Sequence, residues 1–430
     1  MFTTNTLSTN KSSLNYLISL MPLSLILGNL AINLNIIIIC ILGILTFKFR
    51  LVEVNEKKIL YIIYIFFFYL IFITLFRNLP NLDVNPLYKN HIIKSFLYLR
   101  YLVFFLVINK LIEEKKFDIK FFFLSCSFFS FLVAFDVLIQ FFFKKNLLGY
   151  AILNNSPSSF FGEELIAGGY IQKFAFFFIF SIFFFFNNLT KKINFFLLFF
   201  ISFFFFAILL TTNRMPLVIF LASIFIFLLI EEKTRKLLII SFFSFIIILT
   251  ITFKSHEGTK NKLSSFVGNT LQMLVKAPHL FYTDGTREAI SFSNNYLITF
   301  NSAVQTWKEN KIFGGGLKSI RLNCKIKKNT ICTTHPHNYT LEILLDTGIL
   351  GFLLIYSVFI FYFFNYIKFY LRNLNFKSRV FSMPFFLVIF FEFFPLRSSG
   401  SFFSTNNSVI IFLFLAIFIN VSKFNLNKKN

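Results

Sequence analysis

Long apolar runs separated by short polar breaks repeat along the whole chain, and none alternates apolar with polar residues. A helix rises about 1.5 Å per residue and the hydrocarbon core of a bilayer is about 30 Å thick, so roughly 20 largely apolar residues make one crossing. Runs near 14–32, 34–49, 59–76, 93–109, 119–143, 169–187, 193–210, 215–230, 237–253, 339–364, 380–396 and 407–422 predict twelve transmembrane helices. The lack of alternation excludes a membrane β-barrel and leaves a helical bundle, because only these two architectures satisfy every backbone group in lipid. The first run has no basic flank or cleavage site before it, so it is expected to stay in the protein. The predicted fold class is an all-α polytopic membrane protein, one membrane domain over residues 1–430.

Composition agrees with the pattern. The 430 residues are 57% hydrophobic, with a mean hydropathy of +0.74 and 73 phenylalanines, more apolar surface than a soluble domain can bury. Abundant Phe, Ile, Asn and Lys together point to AT-rich coding, so runs such as Phe183–Phe186 and Phe203–Phe206 are expected to be mainly lipid-facing filler. Charge then sets orientation. Lys48, Arg50, Lys57 and Lys58 lie in one loop, Lys110, Lys115, Lys116 and Lys120 in another, and Lys191 and Lys192 in a third. Lys233, Arg235 and Lys236, then Lys368, Arg372, Lys377 and Arg379, then Lys423, Lys428 and Lys429 continue the series. Every second connection is basic, which places both termini in the cytoplasm. The net charge of +24 is therefore a topology and anionic-lipid signal. It is scattered over many short loops, so no nucleic-acid partner is expected.

The polar stretch 254–338 breaks the pattern and is predicted to be one large outer loop between the ninth and tenth spans. It holds the single tryptophan, Trp307, the run Gly314–Gly316, and Cys324 and Cys332, which suit a local disulfide in an oxidising compartment. Cys40 and Cys126 lie in apolar runs and read as packed core. Arg214, Glu163, Glu164 and Arg397 fall at outer boundaries of spans. An arginine there needs water, a partner or a ligand, and a guanidinium pairs bidentately with phosphate.

Two of the five histidines, His335 and His337, flank Pro336 where the loop turns into an apolar run. Pro336 disfavours helix at His335, and Asn338 before that run is an N-cap signal, so a helix is expected to begin at about Asn338. His337 then precedes a helix N-terminus, which favours neutral imidazole and a nearby anion, the combination suited to a general base. Glu342 and Asp346 share a helix face, and Gly348 and Gly351 predict a bend or close packing. A His-x-His metal site, a loop histidine without chemistry, and a glycosylation acceptor at Asn338-Tyr339-Thr340 are the other readings of these residues.

The segment from Trp307 through Gly314–Gly316, the cysteine pair, and His335-Pro-His-Asn-Tyr-Thr-Leu-Glu-Ile-Leu-Leu-Asp-Thr-Gly together resemble the signature region of the O-antigen ligase and polymerase superfamily. Thr211-Thr-Asn-Arg214 is similar to that family's Thr-Gly-Ser-Arg segment, and the Phe-Gly-Glu-Glu-Leu-Ile-Ala-Gly and Gly-Ser-Phe-Phe stretches also resemble ones found there. The resemblance implies a GT-C-like, metal-independent, inverting glycosyltransferase in the bacterial inner membrane, without a cofactor, acting at the periplasmic face. Its donor would be an undecaprenyl-diphosphate-linked glycan, and its acceptor lipid A-core for a ligase or a growing glycan for a polymerase. His337 matches the catalytic position and Arg214 the arginine at the membrane boundary, with His335, Asn338, Glu342, Glu163 and Glu164 in support. The loop position that many members fill with arginine falls near Tyr296, so Arg287, Arg321 and Arg397 are the candidates for further diphosphate contact. A lipid-linked sugar transporter or flippase is the rival class, and it predicts internal repeats and helices broken near the midplane.

Overall fold

The computed structural model describes residues 12–52, 59–83, 85–152, 156–186, 190–255, 257–276, 295–326, 334–373, 375–398 and 400–421. Among them the chain is helical, and the β-type pairing is one isolated bridge between Lys145 and Ala151. Eight of these helices are long and apolar enough to cross a membrane, which makes this a multi-pass membrane protein. They are α3 (Asn29–Phe47), α4 (Leu60–Asn78), α5 (Pro86–Glu113), α6 (Ile119–Phe143), α7 (Ala167–Phe185), α8 (Lys191–Leu210), α10 (Arg235–Ser255) and α14 (Tyr339–Arg372).

Eight is fewer than the twelve spans expected. The stretch 14–32 forms two short helices, α1 (12–19) and α2 (Met21–Leu27), and breaks at Gly28, whose φ of 92° lies outside any helix. Three further expected spans coincide with shorter helices, α9 (Arg214–Ile230, 17 residues), α15 (Phe376–Glu392, 17 residues) and α16 (Thr405–Ile419, 15 residues). Ser408 through Ile419 of α16 are all buried, so its all-round apolarity serves the centre of the bundle. The polar stretch after α10 contains α11 (Glu257–Lys276), α12 (Asn295–Glu309) and α13 (Ser319–Ile326).

The phenylalanines depart from the lipid-filler expectation. Phe204 and Phe205 are fully buried, as are Phe122, Phe123 and Phe177, whereas Phe185 and Phe186 are exposed. Consecutive residues on a helix point about 100° apart, so a run of four covers every face and must supply both core and periphery. The buried rings interlock across α6, α7, α15 and α16, with Phe123–Phe177 at 4.9 Å and Phe177–Phe385 at 5.0 Å between centroids.

The bundle has two polar ends. At one, Glu231 accepts from Arg379 Nε at 3.0 Å and Nη2 at 2.9 Å and from the Tyr370 hydroxyl at 2.9 Å, and Asn420 donates to Asn109 at 2.7 Å. The other is formed by the C-terminal ends of α4, α8 and α15, the N-terminal ends of α9, α14 and α16, and α11–α13.

Candidate functional site

The segment Thr334–Gly351 is built as the start of a bent helix. Asn338 is the N-cap of α14, and its side chain accepts from the Leu341 amide at 2.9 Å. Its Nδ2 donates to Pro395 O at 2.7 Å and Arg397 O at 3.1 Å, which ties the cap to the loop after α15. His337, immediately before the cap, has a φ of 53°. Such a backbone is uncommon for a residue other than glycine, and the anchored cap beside it holds it in place.

Glu342 and Asp346 share a face of α14, and each fastens it to a different loop. The Ser401 hydroxyl at 2.6 Å and the Phe402 amide donate to Glu342. Asp346 accepts from the amides of Lys318 at 2.7 Å and Ser319 at 2.9 Å and from the Ser319 hydroxyl at 2.8 Å. The expected bend is at Gly348, with φ 65° and ψ −171° inside the helix. There the glycine run docks: Gly315 donates to Leu345 O and Gly316 to Asp346 O, both at 2.9 Å, while Ile349 donates to Lys311 O at 3.0 Å. The Tyr69 hydroxyl at 2.8 Å from Phe313 O and Arg77 Nε at 3.2 Å from Gly314 O bind the same loop to α4.

The rings of His335 and His337 lie 4.1 Å apart between centroids, and Thr334 Oγ1 is 2.9 Å from His335 Nδ1. Arg321 donates through Nε to Thr334 O at 2.9 Å. Burial, then the neighbouring His337, Arg321 and Lys318, push His335 down to about 4, so it is neutral at pH 7. Lys318 is lowered to about 8 by burial and by the charges of Arg321 and Lys94. The environment of the histidine pair is thus cationic, which favours an anion and neutral imidazole together.

Arg397 is buried, and its Nη1 lies 2.8 Å from Glu392 Oε1, which Lys173 Nζ approaches at 3.2 Å. The guanidinium also sits over the Tyr339 ring at 5.8 Å. This arginine is engaged inside the protein, unlike half-buried Arg321 and Arg214. Arg214 opens α9 and donates from Nη2 to Ser265 Oγ at 3.0 Å. Asn213 donates to Leu165 O at 3.0 Å, which joins the Thr211–Arg214 turn to the segment carrying the exposed Glu163 and Glu164.

A chain of contacts connects the two groups. Gly168 of α7 packs on Thr211 and Asn213, Lys173 five residues later reaches Glu392, Glu392 holds Arg397, and the Arg397 carbonyl holds the Asn338 cap. Lys173 and Glu392 were missed in the sequence, although ionisable residues in apolar runs were the signal that could have found them. Lys318 beside the glycine run was also missed. Arg287, Cys332 and the Cys324 side chain lie outside the described residues. Among the described residues no cluster of three or more His, Cys, Asp or Glu side chains could hold a metal ion.

A multi-pass helical bundle with a histidine pair and arginines at one polar end defines the class. Residues 197–356 match the family model described as O-antigen ligase, and that segment contains Arg214, Arg321, His335, His337 and Glu342. The match supports the O-antigen ligase and polymerase superfamily, a family of glycan ligases and polymerases. No curated protein matches the sequence.

Proposed function

We propose that the protein transfers a glycan from an undecaprenyl-diphosphate carrier to an acceptor sugar hydroxyl at the periplasmic face of the inner membrane, as an O-antigen ligase does. The observation that carries this reading is the placement of His337 against the anchored N-cap of α14 in a cationic setting, within the segment that matches the family model. Lipid A-core is the proposed acceptor. A polymerase would use a growing glycan at the same site.

In the proposed reaction the acceptor oxygen attacks the anomeric carbon from the face opposite the diphosphate. The bond from that carbon to the phosphate oxygen breaks, and its electron pair leaves with the lipid diphosphate, inverting the anomeric centre. His337 takes the acceptor proton, and Arg214 faces the charge that grows on the departing diphosphate, where a fixed cation contributes most. Neutral His335 supports the base without competing for the proton, and Asn338 fixes its position.

The test is transfer by purified protein in nanodiscs with lipid-linked donor. A positioned base contributes about 10²–10⁴-fold, so His337→Ala lowers turnover at least about 100-fold while leaving the fold unchanged. Retained turnover in a folded variant overturns the assignment. Deleting the gene separates the two acceptors: loss of all glycan from the lipid anchor marks a ligase, and retention of a single attached repeat unit marks a polymerase.

A further inference from the structure

The turn that carries Arg214 is met by a second cation that sequence patterns do not reveal. Thr212 has a φ of 57°, rare for a β-branched residue, and its hydroxyl lies 2.7 Å from Ser156 Oγ. Lys262 of α11 donates from Nζ to both hydroxyls, to Ser156 at 2.6 Å and Thr212 at 3.1 Å. Ser265, one turn further along α11, accepts from Arg214. One face of α11 is therefore laid across the Thr211–Arg214 turn through these two contacts.

The arrangement brings Lys262 and Arg214 to the same turn, each donating to hydroxyls. Their repulsion is visible in Lys262, which is lowered below its ordinary value first by burial and then by the Arg214 charge. An anion seated between them would relieve that repulsion and accept from both. The other arginines have different neighbours: Arg321 is bound to Thr334 beside His335, and Arg397 is buried against Glu392.

We propose that Lys262 and Arg214 form one diphosphate-binding pair, in which the guanidinium holds one phosphate and the Lys262 ammonium the other. This rests on the reading of Arg214 as a phosphate contact and adds the residue that completes it. Ser156 and Thr212 hold Nζ in place before the ligand arrives, and phosphate oxygens replace one or both hydroxyls when it binds. The ligand class is an isoprenoid-linked diphosphate, as opposed to the phosphodiester of a bulk membrane lipid.

The experiment measures binding of geranylgeranyl diphosphate to the full chain in phosphatidylcholine nanodiscs. Losing a charge-assisted contact is expected to weaken binding about tenfold or more in Lys262→Met, while Lys262→Arg stays within about threefold. Unchanged affinity in K262M overturns the proposal. Replacing phosphatidylcholine by phosphatidylglycerol is expected to leave wild-type affinity within about threefold once ionic strength is raised to screen the bilayer surface. Displacement of the probe by phosphatidylglycerol shows a general anionic-lipid site and also overturns it. Arg214→Met, measured in parallel, separates the two readings. Loss in R214M with none in K262M refutes Lys262 alone, and loss in K262M with none in R214M refutes the role of Arg214. If K262M does not fold, Lys262→Gln, which removes the charge and keeps a polar side chain, takes its place: weakening of about tenfold or more supports the proposal, and unchanged binding overturns it.

Discussion

Gly348→Ala tests how the histidine segment is held. At Gly348 φ is 65° and ψ −171°, a region that only glycine occupies readily, and forcing another residue there costs about 1–3 kcal/mol. A Cβ would also stand 2.2 Å from Ile312 O, 2.4 Å from Ile312 C and 2.6 Å from Gly314 N, all backbone atoms that cannot rotate away. The loop must back off, which breaks the bonds from Ile349 to Lys311 O and from Leu350 to Ile312 O. Two such bonds add about 2 kcal/mol, for a total of roughly 3–5 kcal/mol. In a chain of 430 residues that corresponds to a fall of about 3–6 °C in apparent Tm. Gly169→Ala is the matched control, since its Cβ would meet only Pro216 Cγ at 3.9 Å, an ordinary contact. Thermal unfolding of both variants in detergent, followed by intrinsic fluorescence, gives the answer. A G348A protein as stable as wild type, or a G169A protein equally destabilised, refutes the account of the bend.

His335 makes stability depend on pH. Its folded value of about 4 lies below its ordinary 6.5, so between these values the unfolded chain binds more protons and stability falls as pH drops. Thermal unfolding from pH 7 to pH 4 should show that decline in wild type and a shallower one in His335→Gln; equal slopes contradict it. Glu392→Gln leaves Lys173 and Arg397 as buried like charges, and breaking a buried pair costs about 3–5 kcal/mol. Apparent Tm should fall accordingly and recover in part in the Lys173→Met, Glu392→Gln double variant, whereas no loss in the single variant argues that the buried pair contributes little.

The parts of the structure governed by local rules were legible in the sequence. Pro336 and Asn338 before an apolar run announced the cap, and Gly348 announced the bend, because each acts on its own neighbours. The helices α4 to α8 fall on the predicted runs for the same reason. The first run misled because its hydropathy hides Gly28, whose backbone conformation ends α2. The phenylalanine runs misled because composition carries no direction, and on a helix four successive rings face four ways.

The candidate site was legible as a set of polar residues but not as a set of charges. In the sequence Arg214 and Arg397 stand at outer boundaries of apolar runs and Arg321 lies in the polar loop after the glycine run, and all three read as candidates for diphosphate contact. The fold makes them different by supplying a partner from elsewhere in the chain. Arg397 meets Glu392 and Tyr339, Arg321 meets the Thr334 carbonyl, and Arg214 meets Ser265 with Lys262 alongside. A cation already neutralised by a buried carboxylate gains less from a phosphate than one held by hydroxyls, since the phosphate must then compete with the carboxylate. Diphosphate recognition is therefore expected at Arg214, while Arg397, which also stands at an outer boundary in the sequence, acts through its carbonyl on the Asn338 cap and so on the position of His337.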